Sequence, residues 1–140
     1  MKIIAPKKDL RKFRAECRAK FPKEHMAALY GHRASDGALM ITRIAPFSHT
    51  STSEDIDYAP GAVRRSKTAA LRNHEEWIGT IHSHCFMQSS PTCWHLSTTD
   101  IETAIKDGES VCGLVYVYNR GRRSDLHWYI PKPLPEVAYY

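Results

Sequence analysis

The segment Trp77-Ile78-Gly79-Thr80-Ile81-His82-Ser83-His84 constrains the fold more than any other. Its near-continuous apolar character suits a strand in the middle of a sheet. Alternate residues of a strand share a face, so His82 and His84 project to the same side at its end. Two histidines also fit an exposed sheet face, but the apolar Ile81 beside them argues against that. Further on, Ser97-Thr98-Thr99-Asp100 has the form of a helix start, a hydroxyl cap followed by an acid in the first turn. An aspartate so placed could complete a face of three protein ligands. Two imidazoles and one carboxylate, with a fourth position left for water, is the pattern of a catalytic zinc site rather than a closed structural one. Taken alone, Ser97 to Asp100 is equally a plain helix cap. Glu24, which opens an apolar run, is by itself equally a surface charge.

Around this strand the remaining pattern predicts alternating helices and strands. Leu10, Phe13, Cys17 and Phe21 recur at helical spacing among charges from about Lys7 to Lys20, and Pro22 ends the run. Glu24 to His32 reads as a strand closing at Gly31. Ser35-Asp36-Gly37 is a turn into a second strand, Ala38 to Phe47. Ser48 to Pro60 is polar and acidic, with Ile56 and Tyr58 alternating, which predicts a loop or a loosely held edge segment. A helix is expected from Gly61 to about Glu76, and another from Ser97 to about Lys106, stopped by Asp107-Gly108. Cys85 to Leu96 reads as an irregular loop broken by Pro91. Val111 to Tyr118 and Arg123 to Ile130 are strands about an Asn119-Arg120-Gly121 turn. The tail Pro131 to Pro135 is too rich in proline to pair further. This order predicts an α+β or α/β sandwich, a mixed sheet flanked by helices.

With 140 residues and no linker, repeat or low-complexity tract, the chain reads as one domain over positions 1–140 with a core of its own. Met1 to Pro6 turns charged before any apolar leader develops, and the longest apolar stretch is too short to span a bilayer. A cytoplasmic location is the default expectation, with no membrane partner. Four cysteines without an export signal are better read as thiols than as a disulfide framework, and Cys17 and Cys112 as buried apolar residues. The net charge of +5 is concentrated from Lys7 to Lys23 and from Arg64 to Arg72. It lies on amphipathic helical patterns and lacks interleaved stacking aromatics. A solvated helix face or an acidic protein partner therefore accounts for it better than nucleic acid does.

Glu24 at the first strand, His82-Ser83-His84 and Ser97-x-x-Asp100 together resemble the signature of the JAMM (MPN-type) zinc proteases. The resemblance runs from the first helix to the last strand and includes Phe21-Pro22-Lys23-Glu24 leading into Leu29-Tyr30-Gly31. It implies a cytidine-deaminase-like fold and cleavage of peptide or isopeptide bonds, often those of ubiquitin-like modifiers. By position it implies one catalytic Zn2+ held by His82, His84 and Asp100, with Glu24 as general base and Ser97 steadying the oxyanion. The short chain is similar to bacterial or phage stand-alone, deubiquitinase-like members. Some of these accompany ubiquitin-like conjugation modules with E1- or E2-like proteins, including modules in antiphage defence. A non-catalytic scaffold of the same fold is the alternative. A zinc nucleobase deaminase is disfavoured, since the H-x-E and P-C-x-x-C pair is absent.

The chain departs from that family between His84 and Asp100, where the connection is longer and Cys85 replaces a common proline. Cys85, Cys93 and His95 are ligand types for a second, structural metal ion. Against that stands a loop that packs Phe86 and Trp94 over the cleft and shapes substrate access. Ser48 to Pro60 corresponds to a variable insertion that pairs with the modifier's tail, which would place Ile56 and Tyr58 beside an added strand. His25, His32, His49, His74 and His127 are most simply surface or satisfied histidines, and Tyr116, Tyr118, Trp128 and Tyr129 sheet packing.

Overall fold

The computed structural model describes residues 2–53 and 56–131. Its elements are β1 (Ile3–Ile4), α1 (Lys7–Lys20), β2 (Met26–Arg33), β3 (Leu39–Pro46), β4 (His49–Ser51), β5 (Ile56–Tyr58), α2 (Ala62–Arg72), β6 (Glu76–Cys85), α3 (Thr98–Asp107), β7 (Val111–Tyr118) and β8 (Arg123–Tyr129). Six strands form one mixed sheet in the order β1-β3-β2-β6-β7-β8, with β6 and β7 parallel and the β2–β3, β2–β6 and β7–β8 pairs antiparallel. The expected mixed sheet with flanking helices is what forms.

The sequence dictates which helix covers which face. On α1, Phe13 and Cys17 lie four residues apart, so both point inward. They are buried against Ala27, Leu29, Ile81, Val111 and Val115 on one face of the sheet. Burial of the Phe13 ring alone stabilises this docking by about 1.5–3 kcal/mol. Arg14 and Arg18 of the same helix donate to Ser124 Oγ of β8 at 3.1 and 2.8 Å. Part of the basic helix thus fastens the fold. The opposite face is shared: α2 brings Ala62 and Ala70 onto Met26, Ala28, Tyr30 and Trp77, and α3 brings Ala104 onto Cys112, Leu114 and Tyr116. A cleft remains between α2 and α3.

One irregularity in β6 keeps the histidines on that cleft face. Trp77 and Thr80 both belong to it although three residues separate them, an odd spacing that strict alternation forbids. The register against β2 shifts between Leu29, opposite Gly79, and Tyr30, opposite Trp77, so that Ile78 is the extra residue. A Cβ at Gly79 would sit 1.9 Å from the Val111 carbonyl oxygen, so only glycine fits. Beyond it, Thr80, His82 and His84 face the cleft, while Ile81 and Ser83 turn toward α1. At the other end of the cleft, α3 stops where expected, with Gly108 in the left-handed conformation at φ 76° and its N–H bonded to Ala104 and Ile105 carbonyls.

Two segments differ from the sequence reading. Ser48 to Pro60 is not a plain loop: β4 and β5 pair antiparallel as a small sheet of their own, His49 opposite Tyr58 and Ser51 opposite Ile56. Ile56 and Tyr58 turn the same way because they are two apart, and pack on the α2-side core. The alternation was visible, but three-residue strands are too short to separate from a loop by pattern. β1 was also missed; its two residues pair parallel with Leu39 and Met40 of β3. Of the proline-rich tail, positions 132–135 lie outside the described residues.

Candidate metal centre

β6 supplies two of the three converging side chains and the start of α3 supplies the third. His82 Nε2 lies 3.2 Å from His84 Nε2, His84 Nε2 lies 3.2 Å from Asp100 Oδ2, and His82 Nε2 lies 3.4 Å from the same oxygen. Three ligand atoms thus form a nearly equilateral triangle. A tetrahedral ion with bonds of 2.0–2.1 Å spaces its nitrogen and oxygen ligands by about 3.3–3.4 Å. The triangle has the size of one face of that tetrahedron. Among the described residues it is also the group of three His, Cys or carboxylate side chains whose ligand atoms all lie within 4.8 Å of one another. The donor set therefore fits a zinc ion, which His82, His84 and Asp100 would hold.

The helix cap and the ligand are one device. Ser97 Oγ accepts from the Asp100 N–H at 3.1 Å, and the Ser97 N–H donates to Asp100 Oδ2 at 3.3 Å, a reciprocal capping box. The oxygen aimed at the histidines is the one gripped by the cap, so the cap forms as read and leaves Asp100 free to face the histidines. Burial alone would raise the Asp100 carboxyl, but hydrogen bonds and charge from His82 and His84 outweigh it and hold it well below the usual carboxylate range. His82 is 4% exposed, and its Nδ1 has no hydrogen-bond partner among the described residues. Burial, not a second hydrogen bond, sets that ring.

Glu24 reaches the site through the β2–β6 register. Met26 pairs with His82, and His25 and Ser83 exchange bonds, His25 N–H to Ser83 Oγ at 2.8 Å and Ser83 N–H to the His25 carbonyl at 2.9 Å. Two residues before Met26, Glu24 falls opposite His84 on the same face. It is buried, 7% exposed, and its N–H donates to the Thr52 carbonyl at 3.0 Å. A buried acid at a cleft wall is not the surface charge that Glu24 alone suggested. Glu24, His82, His84, Ser97 and Asp100 all line one cleft of about 1330 Å³.

The remaining expected residues divide. Ile56, Tyr58 and Phe86 line the same cleft, whereas Trp94 is not among its lining residues. The Trp94 ring packs instead on Tyr116 and His127, at centroid distances of 4.9 and 5.0 Å. Its carbonyl accepts from the Tyr129 hydroxyl, which in turn meets the Tyr116 hydroxyl at 2.6 Å. Cys85, Cys93 and His95 form no second ligand group among the described residues. The reason is visible at Cys85: its thiol points to the Lys23 carbonyl, 3.6 Å away. Burial, and then the negative charge of Glu24, push that thiol up to about 11, away from the thiolate a metal needs. All four cysteines are free, with Cys17 and Cys112 buried as expected.

Sequence reasoning missed Glu109. It follows the Gly108 cap and is 6% exposed at the cleft floor. Burial raises its carboxyl, opposed by hydrogen bonds from Thr80 and Tyr58. Thr80 was within reach of sequence reasoning, two residues before His82 on the same strand face. Nothing in the pattern around Glu109 marked it.

No curated relative matches the sequence. Two solved structures share the fold. One is a protein from Desulfitobacterium hafniense, TM-score 0.65 and 18% identity over 91% of this chain and 83% of that one. The other is a protein from Salinibacter ruber, TM-score 0.56 and 19% identity over 99% of this chain and 95% of that one. Among the described residues no helix is long and apolar enough to cross a membrane. The sequence matches the family described as prokaryotic homologs of the JAB domain over residues 6–130. With that match spanning most of its length, the chain belongs to the JAB/MPN-type family.

Proposed function

We propose that the protein is a zinc-dependent peptidase or isopeptidase that cuts at the C-terminus of a ubiquitin-like protein, in a conjugate or precursor. The observation that carries this reading is the triangle of His82, His84 and Asp100 with the buried Glu24 on the same cleft wall. A bound zinc ion would lower the pKa of a water toward about 7 and polarise the scissile carbonyl. Glu24 takes the proton of the attacking water and returns it to the leaving amine, which is why a carboxylate must stand across from His84. Ser97 already accepts a bond from Asp100, and an accepting hydroxyl keeps its own proton to donate. That proton serves the oxygen of the tetrahedral intermediate. Ile56 and Tyr58 form the wall along which an extended tail would lie.

The substrate assignment rests on the family and on a cleft of about 1330 Å³ beside the triangle; E1- or E2-like proteins belong to the same proposal as partners. The test is cleavage of a ubiquitin-like fusion by wild type, His82→Ala and Glu24→Ala. Wild type is expected to cut and both variants to fail. Equal cutting by all three overturns the mechanism. A zinc-loaded protein that cuts no such fusion points to the non-catalytic scaffold.

A further inference from the structure

Glu109 touches three separate walls of the cleft. Its N–H donates to the Ala104 carbonyl at 2.9 Å, closing the C-terminus of α3, the helix that carries Asp100 at its other end. Its carboxylate accepts from Thr80 Oγ1 on β6, two residues before His82. The same carboxylate accepts from the Tyr58 hydroxyl at 3.0 Å, and Tyr58 belongs to the β4–β5 hairpin. Cys112 Sγ is a third, weaker donor to it at 3.6 Å. No Lys or Arg forms an ion pair with Glu109 among the described residues; neutral donors surround it. A buried carboxylate costs several kcal/mol unless hydrogen bonds satisfy it. Tyr58 and Thr80 therefore both have strong reason to stay.

The hairpin also meets the rest of the fold by packing Ile56 and Tyr58 on the α2-side core and by the His49 ring, 5.7 Å from that of His25. Thr52 accepts from the Glu24 N–H, and Ala59 N–H returns to the Ser48 carbonyl within the segment itself. Phe47 meets the Tyr58 ring edge-on at 4.9 Å. The Tyr58 hydroxyl is the polar group that carries the hairpin down to the cleft floor.

We propose that Glu109 is a positioning residue that clamps the β4–β5 hairpin and α3 to the metal-bearing strand and so sets the width of the substrate cleft. The inference concerning substrate rests on the peptidase reading above; the clamp itself does not. Three chains are compared: wild type, Tyr58→Phe, which keeps the ring and removes only the hydroxyl, and Glu109→Leu. Backbone hydrogen exchange over residues 49–58 is expected to speed up about tenfold or more in both variants, the loss of one bond to a charged acceptor. Zinc content should stay at the wild-type level. Glu109→Gln, which retains an acceptor for Tyr58, should restore part of the protection. In cleavage of a ubiquitin-like fusion, KM should rise at least threefold for Glu109→Leu with kcat within about twofold. Wild-type exchange in Tyr58→Phe, or an unchanged KM beside faster exchange, overturns the proposal. If Glu109→Leu does not fold, Tyr58→Phe decides alone. If wild type cuts nothing, the peptidase reading fails while the exchange result still decides the clamp.

Discussion

Two regions of this molecule carry metal-capable side chains within a few residues of each other, and only one assembles them. His82 and His84 stand on a strand paired on both sides, and Asp100 is fixed by a capping box, so their ligand atoms meet within 3.4 Å. Cys85, Cys93 and His95 offer equally good chemistry, yet the last two sit on the irregular segment after β6 and the set does not converge. That segment is held by other means: the Trp94 ring on Tyr116 and His127, the Tyr129 hydroxyl on the Trp94 carbonyl, and Phe86 N–H to the Val117 carbonyl at 2.8 Å. These contacts aim aromatic rings at the sheet and leave His95 exposed. In this chain the ligand-type residues converge where a paired strand and a helix cap fix their direction.

The contrast can be broken most forcefully at the converging set. His82→Ala or Asp100→Ala should reduce bound zinc from one per chain to near zero and abolish cleavage, measured by metal analysis of the purified protein beside a cleavage assay. Zinc retained at one per chain in both would place the ion elsewhere. Glu24→Gln should separate binding from chemistry: zinc stays, while the cleavage rate falls about 10²- to 10⁴-fold. Ser97→Ala removes one half of the capping box. Zinc affinity should weaken about 10- to 100-fold, and thermal unfolding should show a loss of about 1 kcal/mol. Full affinity in Ser97→Ala would mean that the cap does not aim the ligand.

The other region should prove nearly silent. A Cys93→Ser, His95→Ala double variant should bind zinc as wild type does; loss of an equivalent would revive a second site. Cys85 adds a pH signature. Its thiol is pushed up to about 11, so below that pH the protonated form dominates and reactivity rises as pH climbs toward it. At pH 8 only about one molecule in a thousand carries the thiolate. Alkylation of Cys85, followed by mass spectrometry, should therefore speed up about tenfold per pH unit from 7 to 9. A flat profile would contradict a half-buried thiol beside the Glu24 carboxylate.

The sequence spoke most clearly where periodicity and chemistry coincide. Lys7–Lys20 and Val111–Tyr118 are the helix and strand that their pattern predicts, the helix because it has a single apolar face and the strand because a short continuous apolar run suits burial on both faces. His82, His84 and Asp100 could be named because strand alternation and the helix-start pattern fix where such side chains point, whereas Glu24 came only from the family resemblance. Gly79 was different: the glycine was visible, but the need for a bulge became clear only once Trp77 and Thr80 were seen on the same face. The β4–β5 hairpin was ambiguous because a three-residue strand shows barely one period. Trp94 was placed over the cleft on its size alone, and a large ring on a loop goes wherever partners are, here Tyr116 and His127. Glu109 left no trace, since its role depends on Thr80 and Tyr58, residues 29 and 51 positions away.

X-ray absorption at the zinc edge of the purified, zinc-loaded protein tests the central claim most directly. The predicted spectrum has nitrogen and oxygen scatterers alone, at about 2.0–2.1 Å, with the multiple-scattering pattern of two imidazoles. A sulfur shell at about 2.3 Å, or a chain that takes up no zinc, would contradict it.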